Sequence, residues 1–452
     1  MLRLSWTQPE DVLPHALVAA RLDGVDVDDI ERRWIDAGGA PTPPVTGASA
    51  EPATNELRAL ARQLLTAVDD AAVPAALLAN EPDDLAAIEQ LAPGRTATPG
   101  EPDRDRLLGA WLGRAAGCLL GKPVEKIPRA GIRAIAESTG NWPLAGYFTA
   151  RGLDPVVAAS YPWNRRSAVN SLVENIDGMP EDDDLNFPLV ALLLAERHGG
   201  DVTTEDVAAV WLDELPAGRV FTAERVAYRN LLEGEEPAVA GRVANPFQDW
   251  IGAQIRTDVY GWTCPGDPVR AARLAWHDGR LTHHRNGLYG AMFVAAACSV
   301  AVTGASVDEC LDAGLSVVPH GSRYAAAIRR GAGHGESSSS LDDALDVLYD
   351  EFGHLHWVHV LNNAALVAFA LMRSGGDFAT GVTTVVAGGW DTDSNGATVG
   401  SICGAITGAA NLPVDWIAPL RNRLHSSIRG FDGISFDELA DRTAAARLPD
   451  SR

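Results

Sequence analysis

From Asp105 onward apolar residues return at intervals of three and four, the spacing that lines one face of a helix. "RDRLLGAWLGRAAGCLL" shows it clearly, and "TTEDVAAVWLDEL" adds a Thr and acidic residues in its first turn, where helix starts favour them. "SSSSLDDALDVLYDEF" repeats that grammar, and "VHVLNNAALVAFALMRSGGD" stops at a Gly pair. Alternating runs of Val, Ile, Thr and aromatic residues are scarce; only short pieces such as "TTVVAGG" could be strands. The pattern predicts an all-α fold with no repeat of 20 to 50 residues. Gly287 to Val307, "GLYGAMFVAAACSVAVTGASV", carries no charge and is long enough to span a membrane. Its apolar residues are mostly small, so the expectation is a helix buried on all sides of a helical bundle.

Two Pro- and Gly-rich breaks interrupt the first hundred residues, at 37–55 and 92–103. They divide the chain into a helical N-terminal extension with a Pro-rich linker, 1–100, and a main domain, 101–452. Nothing in the extension suggests chemistry. A length of 452 with 46% apolar residues allows a large core. The formal charge of −23 argues against nucleic acid or an anionic membrane as partner, since both need basic surface. Five scattered cysteines without a CxxC pair fit a reducing interior. With no apolar leader at the N-terminus, the expected location is cytoplasmic.

Two acidic elements carry the chemistry. Glu181, Asp182, Asp183 and Asp184 are consecutive, and mutual repulsion demands solvent, a helix N-terminus or a cation. Pro188 limits where the following helix begins, and Asp184 as N-cap would put it at the fourth helical position. Further on, "GGWDTDSNGATVGSICGAITGAANLP" sets Asp391, Asp393 and Ser394 before a ladder of Gly400, Gly404 and Gly408. "DTDSNG" begins like a calcium loop, but the twelfth position is Ile402 where that loop needs a bidentate glutamate. What remains is a pair of carboxylates leading into a closely packed helix, which is unfavourable without a cation. Oxygen ligands of this kind suit Mg²⁺ or Mn²⁺, and two clusters could hold two ions. The histidines of "HLHWVH" have no acidic partner nearby and read as packed side chains; Asn362 and Asn363 read as caps of buried backbone. Trp390 is either a wall of the pocket or core.

At these residues the sequence resembles the ADP-ribosylglycohydrolase family, which includes the dinitrogenase reductase-activating glycohydrolase, over roughly residues 104–430. Asp182 and Asp183 match the adjacent aspartates of the family's first metal element, with Glu181 and Asp184 standing where it has threonines. Asp391, Asp393 and Ser394 match its second. "RLLGAWLGRAAGCLLGKPVE" is similar to the opening helix, placing Glu125 at the catalytic or gating glutamate. "HHRNGLYGAMFVAAA" is similar to the Gly-rich loop beside the substrate's phosphates. Two positions depart from the pattern: Cys118 replaces an aspartate, and Phe293 an arginine. The resemblance implies an orthogonal helical bundle and a catalytic domain over 101–452. It implies a two-magnesium centre held by Glu181, Asp182, Asp183, Asp391, Asp393 and Ser394. Glu125 and Asp393 would be catalytic, with Asn286, Gly287, Tyr289, Gly290 and Trp390 against the substrate. The implied reaction is hydrolysis of the C1 N- or O-glycosidic bond of a ribose, in an ADP-ribosylated protein or a small riboside or nucleotide conjugate. The alternative is a non-catalytic, metal-dependent ADP-ribose-binding protein of the same fold.

Overall fold

A computed structural model of the chain describes residues 3–164, 167–337 and 339–448, and among them only helices, turns and three isolated β-bridges form. The strand-like "TTVVAGG" is the end of a helix and the turn after it. Seven helices place the site: α1 (Pro9–Leu22), α2 (Arg104–Gly121), α3 (Asp183–His198), α4 (Arg285–Ala301), α5 (Val360–Ser374), α6 (Phe378–Ala387) and α7 (Thr392–Thr407).

Local chemistry explains most of their starts. Asp103 caps α2 by accepting from the Asp105 amide at 2.9 Å, and Asp377 caps α6 by accepting from Thr380 at 2.8 Å. His359 does the same for α5, its Nδ1 accepting from Leu361 at 3.2 Å. Helices α1, α4 and α7 start without a side-chain cap. Asp391 stands at the N-cap of α7, yet its carboxylate caps nothing.

Glycine spacing sets the centre of the fold. Gly109, Gly113 and Gly117 on α2 face Gly404, Gly400 and Gly396 on α7, running antiparallel. A methyl group at any of them would strike the opposing backbone carbonyl, so the two helices touch backbone to backbone. The Thr392 hydroxyl donates to the Gly121 carbonyl at 2.8 Å, tying the last turn of α2 to the first turn of α7. Everything after Gly121 therefore begins beside Asp391 and Asp393.

Helix α4, which holds residues 287–301 of the uncharged segment, is buried along its whole length among other helices, and no helix among the described residues is long and apolar enough to cross a membrane. Residues 1–100 form five short helices, and their apolar side chains, including Trp6, Val12, Leu13, Leu64 and Ile88, join the same continuous core as α2 to α7. Ion pairs reinforce this contact: Arg323 reaches Glu81 at 2.7 Å and Asp23 at 2.8 Å, and Arg285 pairs with Asp23.

Candidate metal centre

The turn before α7 is built to aim a carboxylate. Gly389 has φ +82°, and Trp390 has φ +58°, a left-handed conformation that large side chains rarely adopt. Stacking of Trp390 on Tyr349, centroids 4.5 Å apart, and a 2.8 Å bond from the Tyr349 hydroxyl to the Gly388 carbonyl hold it there. Asn363 on α5 fixes the next residue. Its Oδ1 accepts from the Asp391 amide at 3.2 Å and from Asn395 Nδ2 at 2.6 Å, while its own amide group donates to the carbonyls of Trp357 and His359.

Helix α3 starts two residues earlier than the sequence suggests. Asp182, not Asp184, is the N-cap, its carboxylate accepting from the Asp184 amide at 3.0 Å, so Pro188 lies within the helix. Proline has no N–H to offer the carbonyl four residues back, that of Asp184. Arg114, fully buried on α2, supplies the missing donor: its Nε bonds that carbonyl at 2.8 Å. A further nitrogen pairs with Asp258 at 3.0 Å. The proline is tolerated because an arginine replaces the lost bond, and the same arginine docks α3 against α2.

Two groups of ligand atoms result, each within 4.8 Å of one another: Glu125 with Asp391 and Asp393, and Cys118 with Asp182 and Asp184. The Ser394 hydroxyl, 3.4 Å from Asp184, joins them. Neither group contains a histidine; His359 is buried and His356 half-buried, and desolvation lowers the pKa of each, to about 3 and about 4. Glu125 is oriented from both sides, one oxygen 2.9 Å from Lys126 and the other bonded by Asn164. Lys122 reaches into the carboxylates, forming an ion pair with Asp182 and bonding the Glu181 carbonyl at 3.2 Å. Arg219 meets Glu181 at 3.0 Å.

The charges of this site are out of balance. Burial and the neighbouring carboxylate of Asp393 push Asp391 well above the usual range. Burial, with Glu125 and Asp182, raises Asp393 to about 8. Asp183 is pushed up by burial, Asp182 and Asp393. At Asp182 burial works in the same direction, but the Lys122 ammonium outweighs it and the pKa falls. Burial and the two aspartates also raise the Cys118 thiol, which stays protonated. Asp183, Asp391 and Asp393 have no ionic partner among the described residues, and the buried Asp184 Oδ1 has no hydrogen bond. Buried, unpaired oxygens of this chemistry fit a hard divalent cation.

A cavity of about 740 Å³ lies against these groups. Glu125, Glu181, Asp182, Asp183, Asp391, Asp393 and Ser394 all face it. At its other walls stand Trp6, Phe221, Trp357 and Ile251, with Lys126 5.1 Å above the Trp357 ring. The structure does not bring Asn286, Gly287, Tyr289, Gly290 or Trp390 to the cavity. Asn286 bonds Glu81 at 2.8 Å, Tyr289 bonds the Pro82 carbonyl, Gly287 abuts the Gln248 carbonyl, and Gly290 abuts Gln254. The loop that the resemblance assigns to phosphates is thus covered by the N-terminal segment. Phe293 fills core, edge-on to Tyr324 at 5.7 Å. Sequence reasoning missed Lys122, Asn164 and Trp6. Lys122 lies inside the motif that yielded Glu125, whereas Trp6 has no local signal.

Comparison with known proteins gives the chain's relatives. A family model described as ADP-ribosylglycohydrolase matches residues 99–451. Among solved structures, one described as an ADP-ribosylglycohydrolase-related protein complex is 23% identical, with 76% of this chain and 96% of that chain covered and a TM-score of 0.47. No curated protein matches the chain.

Proposed function

Because the chain belongs to the ADP-ribosylglycohydrolase family and is a hydrolase of glycosidic bonds, we propose that its substrate bond is the C1 glycosidic bond of a ribose and that catalysis requires a divalent cation, Mg²⁺ or Mn²⁺. The observation that carries this reading is the convergence of Glu125, Asp391 and Asp393 on one spot beside the Asp182–Asp184 element, against an open cavity. Asp391, Asp393 and Glu125 would hold the cation, and a bound cation supplies Lewis acidity and neutralises the carboxylates.

The chain's own groups do the rest. Cleavage at C1 develops oxocarbenium character, and preorganised carboxylates such as Asp183 favour that positive charge. Glu125, fixed by Lys126 and Asn164, is the proton acceptor for attacking water at its carboxylate oxygens. Trp6, Phe221 and Trp357 give the other part of the substrate an aromatic face, which suits a nucleobase.

Incubation with ADP-ribosylated arginine and serine peptides, beside a panel of nucleosides, tests the reading and separates protein from small-molecule substrates. Release of ribose or ADP-ribose from one of these is the expected result. Tight ADP-ribose binding with no release from any of them, in the presence of Mg²⁺, would make the protein a binder and sink the proposal.

A further inference from the structure

The two groups of ligand atoms differ in one respect. In the group of Cys118, Asp182 and Asp184, each carboxylate already faces a cation of the chain. Lys122 pairs with Asp182, and Arg114 stands 3.7 Å from Asp184, which also receives the Ser394 hydroxyl and the Cys118 thiol at 3.4 and 3.8 Å. A cysteine sulfur is a soft donor that hard ions do not select. In the group of Glu125, Asp391 and Asp393, only Glu125 has a basic partner, Lys126. Asp391 and Asp393 form no ion pair among the described residues, although the Lys122 charge also acts on Asp393 from a distance.

Lys122 is not a loose surface side chain that has drifted inward. Its amide bonds the Cys118 carbonyl at the end of α2, Pro123 follows it, and its carbonyl accepts from Ser167 Oγ at 3.1 Å and from Asn164 at 3.4 Å. With the backbone pinned, the side chain extends into the carboxylates, 17% exposed, and its ammonium also bonds the Glu181 carbonyl.

We infer that the Lys122 ammonium is a built-in cation for the Asp182 group, so that this protein binds a single divalent ion, on Glu125, Asp391 and Asp393. The inference rests on the metal-centre reading given above but fixes the number and position of ions, which that reading leaves open. One divalent charge together with Lys122, Lys126 and Arg114 offsets most of the charge of the six carboxylates; a second ion would have to displace a half-buried, paired ammonium.

Titration of the full, chelator-treated chain with Mn²⁺, counting free ion by electron paramagnetic resonance, tests it. One tight site per chain is expected, released by excess Mg²⁺. Asp391→Asn brings the count to zero, Lys122→Met raises it to two, and Lys122→Arg, which keeps the charge, leaves it at one. Two tight sites in the unmodified protein overturn the inference while leaving the metal-centre reading intact. No site at all overturns that reading, and the inference with it. A Lys122→Met protein that folds by circular dichroism and still binds one ion also overturns the inference; if that variant fails to fold, the count on the unmodified protein decides.

Discussion

Asp393 is held in a state its chemistry resists: a carboxylate buried beside others, with a pKa raised to about 8 against an ordinary 3.8. An unfolded Asp393 releases its proton near pH 4, whereas the folded one keeps it. Its contribution to stability is therefore complete below about pH 4 and is lost as pH rises through about 8. Asp393→Asn removes that loss. In thermal melts with chelator present, the variant should gain on the unmodified protein between pH 5 and 8, and parallel curves would contradict the assignment. The same variant should lose activity by about 10³-fold, as removal of an electrostatic or proton-transfer group does. Trp6→Ala should leave the helical signal intact and weaken ADP-ribose binding about tenfold by calorimetry, as truncation of a buried aromatic contact does. At this scale the sequence was most legible where motif and geometry coincide. Asp391, Asp393, Ser394 and Glu125 all face the cavity because they sit at the ends of helices that pack together. Asn286 and Tyr289 do not, because Glu81 and Pro82, two hundred residues earlier, take their hydrogen bonds. Trp390, which the sequence leaves open as pocket wall or core, is buried, stacks on Tyr349 and does not line the cavity.

Between elements, the α2–α7 contact is what brings the site together. The ladder of Gly400, Gly404 and Gly408 was visible as a sign of close packing, but its partner ladder on α2 can be recognised only once the two helices are seen to run antiparallel. Gly117→Ala places a methyl against the Gly396 carbonyl and should destabilise the fold by about 1–3 kcal/mol, the range for overpacking, or somewhat more because backbone cannot yield as a side chain can. Urea unfolding measures this. Mn²⁺ affinity should fall in parallel, since Glu125 would move away from Asp391 and Asp393. Unchanged metal affinity would mean that the helix contact does not position the ligands. The start of α3 shows the opposite limit of sequence reading: Pro188 argued for a cap at Asp184, and only the buried Arg114, seventy positions earlier, explains how the helix accommodates it.

For the molecule as a whole, the first hundred residues are the element least legible in advance. Their Pro-rich breaks suggested an appendage, and the family match begins only at residue 99. Yet their apolar side chains share the main core, and Asp23 and Glu81 neutralise Arg285 and Arg323. Removing residues 1–98 would expose Phe247 and Trp250, which pack on Trp6 at 5.6 and 5.5 Å, and leave two buried or half-buried arginines short of carboxylates. The shortened chain should melt at least about 10 °C lower or fail to stay soluble. An unchanged melting temperature would make the extension a separate unit. The all-α architecture itself was plain from periodicity, because helices of this composition leave few alternatives. The central claim is that carboxylates from the 182 and 391 regions hold a divalent ion on which glycosidic hydrolysis depends. Its most direct test is the rate of ribosyl release by protein stripped with chelator and then resupplied with Mg²⁺ or Mn²⁺. The account predicts loss on stripping, recovery on resupply, and no recovery in Asp391→Asn; full activity in the stripped protein, with the chelator still in excess, would contradict it.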